Sequence, residues 1–492
     1  MDYPRTDYTT DFSSSMIDPV KNTIENLHEV TKALHRKKSY VSQTPFSVID
    51  KDEFTGKNRK KHLQGDAYIN IDTVLEEPLP SRKWSICRAT TFIQDFDERM
   101  AFIPRMVSIG PFHYKISYTR TMEAHKLRFL DRLLKSCNHP QVMLEKLEDA
   151  MRELELETRE CYSEEFPEID SDNFTRMMLV DGCFLIELLR LYHRRCKGQL
   201  ADDPLFETRW LPFSLGCDIL LFENQLPLFV LQKLYKLTNL DDDDDDEQVS
   251  LNKLALQFFE SLRPGKDIIT IEDFVDKGEE KSHLLALFHS SFFTNTPKPP
   301  ARIRRRSNKY NTFSGKCWFY NAKLLVKHGI HLKKKPGNIL DIELNKKELR
   351  IPTLFIDENT TIVLKNLVAY EQNDRRASSY FMSLVFFISN LLLNTEDAGL
   401  LMAKGIIRQT RHQGEKVVEL FDNLAANIAF DIDNCYLSEI VRDINMFTHT
   451  RSAPFKVFLS SVSLRISIIE FMFFLTSTTL SIVSLITSLR SK

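Results

Sequence analysis

The chain has 492 residues, more than one ordinary hydrophobic core accommodates, so one large or two modest folded units with ample buried interior are expected. Its 66 basic and 68 acidic residues leave a net charge of −2, which excludes a surface built throughout for nucleic acid. Phe is abundant at 35 and Gly scarce at 14, which favours a helix-rich core; the 8 Cys lack any Cys-x-x-Cys pair and no secretory leader opens the chain, which argues against a disulfide framework or a zinc module.

Residues 1–81 are polar and weakly periodic, and read as a disordered N-terminal arm. A mostly helical globular domain is expected over 82–465, mainly α with a small antiparallel β-sheet and so of the α+β class. Its first part, Phe102 to Tyr114, mixes apolar residues with Pro104 and a Gly110-Pro111 step, as in an extended segment entering a turn. His113 has no second His or Cys at ligand spacing and reads as a hydrogen-bonded structural histidine. Leu127, Leu130, Leu134 and Cys137 mark an amphipathic helix over Met122–Cys137, and Leu144, Leu147, Met151 and Leu154 repeat the pattern. Met177 to Tyr192 is apolar apart from Asp181-Gly182, Glu187 and Arg190, which predicts a helix surrounded on most sides with Glu187 and Arg190 paired on one face.

Asp218 to Tyr235 carries two apolar blocks around Glu223-Asn224-Gln225, and Pro227 follows too closely for one unbroken helix. The triplet therefore sits where one helix ends and another begins, and its side chains are placed to satisfy helix-terminal backbone groups; the competing reading makes Glu223 an acid or base in a pocket. Loops follow at 239–249 and 294–312. The first contains the acidic run Asp241–Glu247, read as solvated because it lacks the glycine and ligand spacing of a calcium loop. The second contains Arg302, Arg304, Arg305, Arg306 and Lys309, a solvated basic cluster or a contact for nuclear import, RNA or anionic lipid. Alternation then predicts a hairpin near 339–352, with Gly329–Leu332 as a third strand and Pro352 closing the last one. Tyr380–Leu393 is apolar but short for a bilayer, Thr395 opens a helix, and Val417, Phe421, Leu424 and Ile428 mark another core stripe.

The end of the chain predicts a single transmembrane helix over 466–489. Phe471–Leu489 has no charged residue and reaches roughly 28 Å as a helix, enough for a bilayer core. A three-to-two split of flanking basic residues leans toward a cytosolic body. Asn173-Phe174-Thr175 and Asn359-Thr360-Thr361 are sequons whose modification would place that body outside.

Several blocks together resemble a known family. They are Ile103-Pro104 with Val107–His113, Met122-Glu123-Ala124-His125-Lys126, Met178–Phe184, Leu221–Pro227, and Ile351-Pro352 with Asn366–Gln372. In this order they are similar to the plant proteins grouped as domain of unknown function 247, also called uncharacterised protein family 0481. The family's Arg-Trp and later Pro-Trp near the membrane approach are replaced here by Arg451-Ser452-Ala453-Pro454. The resemblance implies a plant membrane protein with one hydrophobic span and no established enzymatic activity. Some grass members are implicated in self-incompatibility as pollen-side components acting with small secreted pistil proteins.

Two functional classes follow. In the first, the chain is a membrane-anchored recognition or signalling scaffold, single-pass and perhaps of the plasma membrane, that touches the bilayer through 466–489 and a protein partner through its body. In the second, an enzyme collects His113, Glu123, His125 and Glu223 into an acid–base site. The first is preferred, because no nucleotide loop, hydrolase elbow, zinc-protease pair or kinase set appears. No catalytic residue, cofactor or metal is assigned. The motif residues to locate are His113, Glu123, His125, Asp181, Glu223, Asn224, Gln225 and Glu371.

Overall fold

A helix of 26 residues, Ser171–Cys196, organises the fold of the protein seen in the computed structural model. The structure describes residues 84–89, 99–199, 203–208, 210–239, 249–265, 281–293, 319–374, 376–409, 414–426, 428 and 435–448. The arm at 1–81, both charged runs and the segment 466–489 lie outside the described residues. By internal packing the chain divides into two units. Of the first, residues 1–83 with 116–121, only Ile116–Thr121 are described; there the Thr119 amide and hydroxyl both return to the Ile116 carbonyl. The second unit holds 84–115 and 122–492, and all that follows concerns it.

Helices α1 (Arg120–Lys135) and α2 (Pro140–Glu160) precede the long helix, which is α3. Asp170 caps α3 by accepting from the Asn173 amide, and His193, Arg194 and Arg195 fill its last turn, so both helix ends face compensating charge. Phe174 to Leu189 is buried throughout, and α3 is enclosed by α2, α6 (Leu228–Leu237) and α7 (Leu251–Phe259). This is the surrounded helix expected from the sequence. The expected Glu187–Arg190 pair does not form: Glu187 takes Arg194 at 2.8 Å, two turns along, while Arg190 reaches Thr238 and lies over the Tyr235 ring.

The face of α1 also differs from its leucine stripe. Met122, Lys126, Phe129 and Leu133 are buried, whereas Leu127 is 45% exposed. The helix is rotated by one residue relative to the Leu127-Leu130-Leu134 reading because a lysine occupies the inward stripe, a position that hydrophobic periodicity passes over.

After the short α4 (Pro204–Glu207), α5 runs Leu211–Ile219 and stops; α6 starts at Leu228 with Pro227 as its N-cap. The break falls where Pro227 predicts it. Helices α8 (Leu284–Ser290), α9 (Ala322–Lys327), α10 (Glu358–Asn373), α11 (Tyr380–Leu391), α12 (Thr395–Ala403) and α13 (Gly414–Ala426) complete the body, with a further helical run over 438–448.

The sheet is mixed rather than antiparallel. β2 (Glu343–Asn345) and β3 (Glu348–Pro352) form the expected hairpin, turning through Lys346 at φ 55°. β1 (His331–Lys335) pairs with the other edge of β3 and runs parallel to it. The cause is the path of residues 336–342, with Gly337 at φ 113°, which carries the chain past β3 before the hairpin forms. Pro352 does not end the strand region: β4 (Leu354–Ile356) follows and pairs in parallel with β5 (Ile407–Gln409).

Among the described residues no single helix is long and apolar enough to cross a membrane; α11 and α12 pass that test only together, bent by 107°.

Candidate functional site

Residues 105–113 form an extended strap held almost wholly by side chains from distant elements. Asp218, near the end of α5, accepts from the amides of Arg105 (3.0 Å), Met106 (2.6 Å) and Val107 (2.9 Å). Asn224 accepts from the Ile109 amide at 2.6 Å and donates to the Val107 and Asp218 carbonyls. Gly110 donates to Asp181 of α3 at 2.9 Å; its φ is 74°, and a Cβ there would lie 2.6 Å from the Gln225 carbonyl oxygen, so only glycine fits.

Behind the strap, the Lys126 ammonium donates to the Ser108 carbonyl (2.6 Å), Asp181 (2.7 Å) and Glu123 (2.7 Å). Burial disfavours its charge, but the two carboxylates more than offset this and raise its pKa; burial raises Asp181 against the pull of Lys126. A cleft of about 150 Å³ opens beside this group, lined by Tyr114, Glu123, Arg176 and Asp181 among others. Every proton of the ammonium is engaged, so it offers no nucleophile.

The rest of the triplet acts on helix ends, as its position at the break predicts. Gln225 donates to the Ile219 and Leu221 carbonyls and accepts from the Leu285 amide near the start of α8. Glu223 accepts from the Ala89 amide at 2.9 Å and from Arg88 at 3.2 Å, with the His113 ring nitrogen Nε2 at 3.7 Å. Burial raises Glu223, and burial followed by Arg88 lowers His113 to about 4, so this imidazole is neutral near pH 7. Glu371 accepts from His289 at 2.7 Å and from the Phe381 and Met382 amides, capping α11 from the preceding helix.

The four residues of the acid–base reading are divided among three networks. His113 and Glu223 share one, Glu123 belongs to the Lys126 group, and His125 contacts Arg128, which pairs with buried Asp203. Among the described residues no group of three or more His, Cys, Asp or Glu is arranged to hold a metal ion. Asn173 lies exposed in the first turn of α3 and Asn359 half-buried in the first turn of α10. Sequence reasoning missed Asp218, Lys126, Arg88 and Asn366, which accepts from the Phe222 amide and donates to the Ala101 carbonyl. For Lys126 a signal exists, since it falls four residues after Met122 and three before Phe129, on the inward stripe.

Fold and site together define a mainly helical α+β body with a small mixed sheet, whose interior charges stitch distant segments. The chain belongs to the DUF247 family, described as plant proteins of unknown function, whose pattern it matches over residues 86–482. A UPF0481 protein of Arabidopsis thaliana is 30% identical over 366 residues, covering 71% of this chain and 74% of that one. A putative UPF0481 protein of the same organism is 21% identical over 427 residues, covering 70% and 79% respectively. No solved structure matches the chain.

Proposed function

We propose that this is a single-pass membrane protein whose body acts by contact, as a recognition or signalling scaffold, and not by catalysis. The observation that carries this reading is the use made of its motif residues. Asp181, Glu223, Asn224, Gln225 and Glu371 are all buried and each is bonded to backbone amides or carbonyls of another segment. A general acid or base needs an accessible lone pair or proton beside a substrate, and groups so engaged supply fold rigidity instead. The uncharged run Phe471–Leu489 supports the anchor by length and composition.

The test is fractionation of the full chain and of a chain ending at Glu470, expressed in plant cells. The full chain should stay with membranes through an alkaline wash and the shortened one should be released; equal fractionation would remove the anchor. A glycan on Asn173 or Asn359 in the same preparation sets the body outside. An unmodified body that protease reaches from the cytosol sets it inside.

A further inference from the structure

The C-terminal end of α3 and the facing side of α1 carry a group of arginines held in fixed orientation by buried acceptors. Asp203, the N-cap of α4, has a fully buried side chain and takes Arg128 through both oxygens, at 2.7 and 2.9 Å; Arg132 approaches the same carboxylate at 3.2 Å. Glu187, 6% exposed, holds Arg194 at 2.8 Å. Arg195 donates to the Phe206 carbonyl, and the Phe206 amide returns to the Asp203 carbonyl, which ties the two acceptor groups together. Burial raises the Glu187 carboxyl against the pull of Arg194, Arg190 and Arg132, so Arg132 electrostatically bridges both carboxylates. The Arg128 and Arg194 side chains remain 36% and 47% exposed.

Each guanidinium is thus anchored along one edge while much of its planar fork faces solvent. Orienting the forks in advance removes much of the side-chain entropy cost of binding, and a planar fork matches phosphate oxygens better than a lysine ammonium does. The cations at the ends of α1 and α3 also complement helix dipoles. That role requires charge alone, whereas the bidentate Arg128–Asp203 geometry fixes direction as well.

We propose that this arginine group is a binding site for a phosphate-bearing anion, either a soluble polyphosphate or a phosphorylated lipid headgroup. The inference is independent of membrane anchoring. It is tested by titrating the detergent-held full chain with inorganic pyrophosphate, and separately with mixed micelles containing phosphatidylinositol 4-phosphate. Saturable binding that weakens with salt is expected. Arg194→Gln combined with Arg195→Gln should raise Kd by about tenfold or more, and Arg194→Lys should weaken binding although charge is kept. Micelle binding far tighter than pyrophosphate binding assigns the lipid source, and comparable affinities assign the soluble one. Because Arg128 secures buried Asp203, the tested positions are Arg194 and Arg195, and unchanged melting of these variants without ligand verifies their fold. Absence of saturation, a Kd unchanged in the double variant, or polyglutamate binding as tightly as pyrophosphate with the same sensitivity would overturn the proposal.

Discussion

Lys126 shows how much one residue can decide. A buried ammonium is tolerated only when paired, and here two carboxylates and a carbonyl receive it. Lys126→Met keeps the length of the side chain but leaves Asp181 as a buried, uncompensated charge, so a loss of about 3–5 kcal/mol is expected from chemical denaturation. Adding Asp181→Asn should recover part of that loss, and the double-mutant cycle reads the coupling directly. Two destabilisations that simply add would show that the pair does not interact. The same residue explains why the face of α1 is obscure in sequence: a charged side chain is normally assigned outward, and only its three partners, scattered over Ser108, Glu123 and Asp181, turn it inward.

At the level of elements, the strap depends on side chains as a strand depends on its neighbours. Asn224→Ala would leave the Ile109 amide and the Val107 carbonyl without these buried partners, at about 1–3 kcal/mol for each unsatisfied group. Amide exchange at 105–110 should accelerate far more than exchange within α3; protection lost equally in both would mean global unfolding instead. Elements with strong local signals were legible in the sequence: the break before Pro227, the enclosure of α3 and the β2–β3 hairpin each follow from adjacent residues. The parallel β1–β3 pairing was not legible, because it depends on where residues 336–342 carry the chain and not on any residue in either strand. The strap's anchors were half legible. Asn224 and Gln225 stand at a visible helix junction, whereas Asp218 lies within an apolar run and its amide partners are 111–113 residues away.

For the whole molecule, stability against pH is a sum of opposing buried titrations. His113 and His283 are lowered from 6.5 to about 4, chiefly by burial, so each binds its proton more readily in the unfolded chain. Their contribution is complete above pH 6.5 and is lost as pH falls toward 4. Asp218, raised by burial from 3.8 to about 6, has the opposite sign: its contribution is present below 3.8 and is lost as pH rises through 6. His283 caps α8 by accepting from the Ala286 amide at 3.2 Å, a role that asparagine also fills. His283→Asn should therefore gain stability relative to the parent as pH falls from 6.5 to 4, read from denaturant midpoints at each pH. A difference between the two proteins that stays constant with pH would show that this imidazole is not neutral in the fold.

The strap has one more consequence, for the order in which the nascent polypeptide matures. Residues 101–110 leave the ribosome well before their partners: Gly110 meets Asp181 across 71 positions, Ile109 meets Asn224 across 115, and Ala101 meets Asn366 across 265. At about 5–20 residues per second of synthesis, the first of these closures waits several seconds and the last considerably longer. During that interval the apolar side chains of Val107, Ile109 and Phe112 have no cover and are natural clients for a chaperone, so the earliest part of the body to be made is among the last to be sealed.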